Sequence, residues 1–101
     1  MKKKVFLYLS DTTPDGSLLS IQEKVLEGYC KQNGWQVVKA FSDLNELLEA
    51  VKRKETDIVL VDTLARLSKD SAEIQHLIEL FTANNVVLVS IAESKNIEGM
   101  I

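Results

Sequence analysis

Four short apolar segments, separated by stretches of helical periodicity, constrain the fold of this chain more than any other feature. They cover residues 5–9, 35–41, 57–61 and 86–89, and the first, third and fourth are nearly continuous apolar runs. Such runs are typical of strands buried on both faces. Strands that alternate with helices favour right-handed crossovers and a mainly parallel sheet with helices on both sides. The sequence therefore predicts an α/β three-layer sandwich, in the order β-α-β-α-β-α-β, with a sheet of four or five strands.

The first helix is expected over residues 20–33. Ser20 and Glu23 have the spacing of a capping box, in which two side chains bond free backbone amides of the first turn. The apolar residues of this helix recur at helical spacing: Ile21, Val25 and Tyr29. Gly34, directly after Asn33, supplies the stop.

Two further helices are expected after the second and third strands. Ser42 or Asp43 can cap the first of them, and its apolar stripe is Leu44, Leu47, Leu48 and Val51. Asp70 and Glu73 form a second capping box before the other helix, whose apolar stripe is Ile74, Leu77, Ile78 and Phe81. Asn84 and Asn85 end it.

Length and charge limit the function classes. With 101 residues the chain has room for one hydrophobic core, and we expect one domain over residues 1–101. The 12 basic and 15 acidic residues leave a net charge of −3, which disfavours strong nucleic-acid binding by this chain alone. No segment has the length of a membrane span or a signal-peptide core, and the single cysteine, Cys30, suits a reducing compartment, so a cytoplasmic location is expected. One His and one Cys give no metal-ligand spacing, and neither a metal nor a cofactor is expected.

Polar residues that follow the strands are the candidates for a site. In parallel α/β sheets ligands bind outside the carboxyl ends of the strands. Ser10 to Thr13 follow the first strand, and Asp62, Thr63, Arg66 and Lys69 follow the third. These two loops could form a small-ligand pocket, although such residues also cap helices and form turns.

The same two loops carry a resemblance to a known family. Tyr8-Leu9-Ser10-Asp11-Thr12-Thr13, with the glutamine-bearing stretch that ends at Gln22, resembles the first motif of the serine recombinases, the resolvases and invertases. Residues 58–70 resemble the family's Val-x-x-Leu-Asp-Arg-Leu-Ser-Arg-Asn segment, and residues 87–93 resemble the segment that comes next. The resemblance covers residues 4–95 and implies a resolvase-like, flavodoxin-like fold. It also implies DNA strand cleavage and rejoining through a covalent link between a serine and a DNA phosphate.

Departures from the family pattern fall on the positions that carry this chemistry. By the resemblance, Thr12 occupies the place of the nucleophilic serine, and Ser10 and Ala65 replace a family arginine and aspartate. Lys69 replaces an arginine and lacks its planar fork, whereas Arg66 is unchanged. The family's arginine-bearing loop after the second strand is also missing, because Ser42-Asp43 leads directly into Leu44. The vestigial catalytic positions are thus Thr12, Arg66 and Lys69.

These departures favour a catalytically degenerate recombinase-like domain that acts in regulation or protein interaction. A protein partner is expected, with a full-length recombinase as one candidate, and the oligomeric state stays open. Neither the family's C-terminal dimerisation helix nor a DNA-binding domain is expected within the chain. The alternative is an active or weakly active recombinase domain in which Thr12 attacks and Arg66 and Lys69 hold the phosphate.

A second resemblance, to response-regulator receivers, concerns the same edge of the sheet. In that alternative Asp62 is the phosphorylated aspartate, Asp11 a magnesium ligand, Ser90 the hydroxyl after the fourth strand and Lys95 the charge-reading lysine. Receivers carry a pair of acids after the first strand and a fifth strand with its helix, and this chain has neither.

Overall fold

A parallel four-stranded sheet with helices on both faces forms the body of the molecule. The computed structural model describes residues 2–10 and 17–92. The elements in chain order are β1 (Lys4–Tyr8), α1 (Ser17–Asn33), β2 (Gln36–Phe41), α2 (Leu44–Lys52), β3 (Ile58–Val61), a 3-10 turn (Leu64–Arg66), α3 (Ser71–Ala83) and β4 (Val87–Ser90). The strands lie in the order β2-β1-β3-β4, and all three pairings are parallel. The predicted α/β architecture is confirmed, with four strands among the described residues.

The first strand of the chain lies in the interior of the sheet. Leu7 of β1 pairs with Ala40 of β2 on one side and with Leu60 of β3 on the other. The register with β2 shifts between Val5 and Phe6, so that Val38 stands opposite no residue of β1. Such a bulge is tolerated at this place because β2 is an edge strand.

Two apolar clusters fill the spaces above and below the sheet. Alternate residues of β1 point to opposite faces. Phe6 and Tyr8 contribute to the cluster under α2 and α3, together with Leu47 and Phe81. The other cluster lies under α1 and contains, among others, Val5, Leu7, Leu26, Cys30 and Leu60. Both faces of the sheet are therefore covered by helices, as predicted.

The expectation for α1 was wrong in two respects. The helix begins at Ser17, three residues before the predicted start, so Ser20 lies inside it and does not cap it. Its sheet-facing residues are Gln22, Leu26 and Cys30, whereas Ile21 and Val25 are 59% and 52% exposed. The two stripes are offset by one residue, about 100° around the helix, and both have helical spacing. The polar residue Gln22 hid the buried stripe from a search for apolar periodicity.

The beginnings of α2 and α3 follow the predicted caps, with one difference. Asp43 caps α2 by accepting hydrogen bonds from the backbone N–H groups of Asn45 and Glu46. Asp70 caps α3, but Glu73 does not complete the predicted box. The Asp70 N–H donates to Ser68 Oγ at 3.0 Å, and the Ser68 hydroxyl in turn donates to Glu73 Oε2 at 3.0 Å. Ser68 thus links Asp70 to Glu73 through two hydrogen bonds.

No helix in the described part of the chain combines the length and the apolar character that crossing a membrane requires.

Candidate functional site

The carboxyl ends of β1 and β3 are neighbours because the two strands pair in parallel. Ser10 follows β1 by two residues, and Asp62 follows β3 directly. The sheet thereby brings together the two loops that the sequence singled out. Side-chain hydrogen bonds at this edge join Ser10, Gln22, Asp62 and Arg66, and we call these four residues the strand-end cluster.

Gln22 of α1 fixes the backbone of Ser10. Its side-chain oxygen accepts a hydrogen bond from the Ser10 N–H at 3.1 Å, and its side-chain nitrogen donates to the Ser10 carbonyl at 2.7 Å. The Gln22 side chain belongs to a residue that is only 5% exposed. A buried amide must be hydrogen-bonded to offset its loss of water, and this pair of bonds satisfies it. Gln22 is thus a positioning residue that holds the end of β1 against α1.

Arg66 and Asp62 form a close ion pair across the 3-10 turn. Arg66 Nε lies 3.0 Å from Asp62 Oδ1, and Arg66 Nη2 lies 3.2 Å from Asp62 Oδ2. Asp62 Oδ1 also accepts from the backbone N–H of Thr63 at 2.8 Å, which orients the carboxylate. The side chains of Arg66 and Asp62 are 31% and 26% exposed, so solvent screens this pair less than a pair on the open surface.

A third contact ties the arginine to the other loop. Arg66 Nη1 donates to the Ser10 carbonyl at 3.3 Å, the same oxygen that accepts from Gln22. The guanidinium therefore spans the gap between the β1 and β3 loops. Its charge is matched within the cluster by one carboxylate, so the cluster is formally neutral.

Two of the other predicted site residues, Ala65 and Lys69, lie outside this cluster. Ala65 is exposed in the 3-10 turn, where its N–H donates to Thr63 Oγ1 at 3.5 Å. Lys69 is exposed further along the loop, and within the described ranges no hydrogen bond or ion pair joins it to Ser10 or Arg66. Thr12, the predicted nucleophile position, lies outside the described residues.

Tyr8 and Asp43 add a second electrostatic feature near this edge. Tyr8 is the last residue of β1 and is 6% exposed. Burial raises the pKa of its hydroxyl above the ordinary value, and the negative charge of Asp43 raises this pKa further. Both effects favour the neutral phenol, so Tyr8 contributes a hydroxyl and no charge over the physiological range.

No metal site is formed by the described residues, since no three His, Cys, Asp or Glu side chains among them are grouped. A separate cavity of about 290 Å³ lies between β2 and α2. Its lining mixes charges of both signs and contains no member of the strand-end cluster: Lys39, Phe41, Glu46, Glu49, Ala50, Arg53 and Glu55. It therefore offers no extension of the predicted site.

Two features of the cluster were missed at the level of sequence. Gln22 entered only as part of a motif, and its hold on Ser10 requires the three-dimensional position of α1. The Asp62–Arg66 pair has a sequence signal, because the two residues are four apart and Thr63 between them can cap a short helical turn. From sequence, Asp62 is predicted as a residue of the candidate pocket or, in the receiver alternative, as the phosphorylated aspartate, and not as the partner of Arg66.

Comparison with solved structures identifies the class of domain. The N-terminal catalytic domain of TP901-1 integrase is 28% identical, with a TM-score of 0.85, over 91% of this chain and 80% of that chain. A serine recombinase from Sulfolobus solfataricus is 25% identical, with a TM-score of 0.68, over 90% of this chain and 69% of that chain. A resolvase family site-specific recombinase from Streptococcus pneumoniae shares the fold, at 22% identity and a TM-score of 0.81, over 91% of this chain and 74% of that chain. The fold is that of serine recombinase catalytic domains.

The family itself is shown by sequence. Residues 9–100 match the model of the resolvase N-terminal domain, and the chain belongs to this family. The match confirms the recombinase resemblance and favours it over the resemblance to response-regulator receivers. No curated protein sequence matches the chain.

Proposed function

We propose that this domain is a recombinase-like module that does not cleave DNA and that acts in site-specific recombination through contacts with another protein. The observation that carries the proposal is the Asp62–Arg66 pair. Of the arginines in the family pattern, this chain retains only Arg66, and the Arg66 guanidinium lies 3.0 Å from the Asp62 carboxylate. A phosphate that approached it would also meet the charge of Asp62.

The replaced residues act in the same direction. A phosphodiester that is attacked by a hydroxyl gains negative charge, and preorganised cations must stabilise that charge. Ser10 stands where the family has an arginine, and its carbonyl accepts from Arg66. Loss of one such preorganised contact typically costs a factor of ~10²–10³ in rate. Active-site groups act as a unit, so a domain that has lost several of them retains little catalysis.

The surface supports a role in protein contact. Ile21 and Val25 lie one turn apart on the outer face of α1, and both are more than half exposed. Contiguous apolar surface is typical of sites that bind another protein, and these two side chains are the part of the helix that we assign to such a contact. A full-length serine recombinase is the partner that we propose, because the chain shares its fold with the catalytic domains of such recombinases. The location of the domain in the cytoplasm is part of the same proposal.

Strand cleavage is the decisive test of catalysis. The protein is incubated with supercoiled plasmid, the reaction is stopped with detergent, and nicked DNA and covalent protein–DNA adducts are measured on gels. An active serine recombinase on its own site serves as the positive control. We expect neither nicks nor adducts. An adduct that disappears in Thr12→Ala would show that Thr12 is a working nucleophile and would overturn the proposal.

Partner binding is tested separately. A full-length serine recombinase from the same cell is titrated with the domain, and both the recombination rate and the formation of a complex are measured. The matched control is the double variant Ile21→Glu, Val25→Glu, which removes the apolar surface without touching the core. We expect the unchanged domain to bind and the double variant to bind less. Equal behaviour of the two proteins would exclude this face of α1 as the contact surface.

A further inference from the structure

Arg53 and Arg66 each pair with a carboxylate four residues earlier in the chain, but one pair is exposed and the other is partly buried. Arg53 lies 3.8 Å from Glu49, four residues before it, and both side chains are more than 60% exposed. Arg66 has the same spacing from Asp62, but its contacts are shorter and its side chain is largely covered. The first pair is open to water and salt, whereas the second is held in one geometry by Thr63 and Ser10.

We propose that Asp62 is an internal counter-ion that closes an anion site at the strand-end cluster. Without the Asp62 charge, the Arg66 guanidinium would bind an oxyanion, and the ligand would be a phosphate group of the phosphodiester class. The inference rests on the proposed function and deepens it, because it names one residue as the reason that this edge does not hold phosphate.

The hydrogen-bond inventory of the guanidinium supports this assignment. Arginine has five N–H donors in a planar fork. Asp62 occupies the Nε–H and one N–H of Nη2, and the Ser10 carbonyl accepts from Nη1. The Nε and Nη2 pair is one of the two edges with which arginine grips two oxygens of a phosphate. Asp62 therefore takes the place that a phosphate would take.

The electrostatics act in the same direction as the geometry. A carboxylate that lies within a few ångströms of the site repels an anion, and partial burial keeps this repulsion from being screened. Replacement by the amide removes the charge, and because an amide NH2 group cannot accept from Nη2, it also releases this edge of the guanidinium for an oxyanion. Asp62→Asn retains an oxygen that can accept from the Thr63 N–H, so this hydrogen bond of the loop is kept.

The experiment measures anion binding by Asp62→Asn. Nuclear magnetic resonance of the arginine Nε–H groups and of the Gln22 side-chain amide follows titration with inorganic phosphate in one arm. The other arm uses a dinucleotide, which carries a single phosphodiester. Glu49→Gln is the matched control, since it removes the same charge from the exposed Arg53 pair. Asp62→Asn with Arg66→Met tests whether the bound anion lies at Arg66.

We expect Asp62→Asn to bind phosphate or the dinucleotide at least about tenfold more tightly than the unchanged protein, with the largest shift at Arg66. Glu49→Gln should bind like the unchanged protein, and the double variant should lose the gain. A gain in the dinucleotide arm, with or without a gain in the phosphate arm, would support the phosphodiester class, whereas a gain in the phosphate arm alone would contradict it.

Equal binding by Asp62→Asn and the unchanged protein would overturn the inference. If Asp62→Asn does not fold, the unchanged protein still decides: Arg66 Nε–H should be insensitive to phosphate at concentrations that shift Arg53 Nε–H. An equal response of the two arginines would contradict the proposal. The cleavage test of the unchanged domain is a separate measurement, so the proposed function and this inference can fail independently.

Discussion

The side chain of Gln22 bonds both backbone polar groups of Ser10, accepting from its N–H at 3.1 Å and donating to its carbonyl at 2.7 Å. The two residues are 12 apart in sequence, and the pair fastens the loop after β1 to the first turns of α1. Since Arg66 donates to the same carbonyl, the orientation of Ser10 also determines where the guanidinium is held.

Replacement of Gln22 by methionine tests this fastening. Methionine keeps the length of the side chain but removes both hydrogen bonds, so the Ser10 N–H loses its partner. We expect the free energy of unfolding to fall by about 1–3 kcal/mol, measured by denaturant titration. Gln32→Met is the control, because Gln32 is exposed on the same helix. Equal stability of the two variants would contradict the positioning role of Gln22.

The two stripes of α1 are distinguished by paired truncations. Leu26 is fully buried, and Leu26→Ala should cost about 2–5 kcal/mol of stability through lost burial and a cavity. Ile21 is 59% exposed, so Ile21→Ala should change stability by less than about 0.5 kcal/mol. Thermal and denaturant unfolding measure both. A large loss of stability in Ile21→Ala would instead indicate that the Ile21 side of α1 packs against the sheet.

Tyr8 should make the fold sensitive to strongly alkaline pH. Its pKa lies above the ordinary value of 10.0, first because of burial and second because of Asp43. Between pH 10.0 and the raised pKa of the folded state, the unfolded chain loses the Tyr8 proton while the folded chain still holds it. Stability is therefore lost as pH rises through this range. The chain has two tyrosines, and ultraviolet titration of Tyr29→Phe reports Tyr8 alone. We expect a midpoint above 10.0.

Asp43→Asn separates the two causes of this shift. Asparagine also caps helices well, so α2 should remain intact. The Tyr8 midpoint should fall in this variant but stay above the ordinary value, because burial is the larger cause. A midpoint at the ordinary value in both proteins would mean that the Tyr8 hydroxyl is not desolvated.

Cys30 should react slowly while the chain is folded. It is 1% exposed, and burial raises the pKa of its thiol, with a smaller contribution from Glu27. Both steric access and thiolate content are therefore low. Alkylation at mildly alkaline pH should be at least about 100-fold slower in native protein than in denaturant. Glu27→Gln should quicken it only slightly, and a native rate close to the denatured rate would refute the burial.

The arrangement of strands and helices was open to prediction because apolar runs and helical periods are properties of short segments. The runs predicted for β1, β3 and β4 lie within two residues of the observed strands. The cap Asp70 is as predicted, and Asp43 is one of the two caps predicted for α2. The inward face of α1 was not, because Ile21-Val25 and Gln22-Leu26 have the same spacing and only packing chooses between them.

The strand-end cluster was predictable only in part. Parallel pairing of β1 with β3 brings Ser10 near Asp62, and this follows from the order of elements. The Asp62–Arg66 bond depends on a 3-10 turn of three residues, which is too short to leave a periodic signal. The role of Gln22 depends on a contact between segments 12 residues apart, which no local pattern encodes.

The central place of β1 also bears on how the chain acquires its structure during synthesis. Of the four strands of the sheet this one is synthesised first, yet its partners lie in Gln36–Phe41 and Ile58–Val61. Its almost entirely buried residues must therefore stay unpaired on one side until residues 36–41 have been made, and on the other until residues 58–61 have been made. Contacts of such sequence separation form slowly, and an unpaired apolar strand can associate with other chains while it waits. The same strand that organises the finished sheet is thus a segment of the nascent chain that a chaperone would protect.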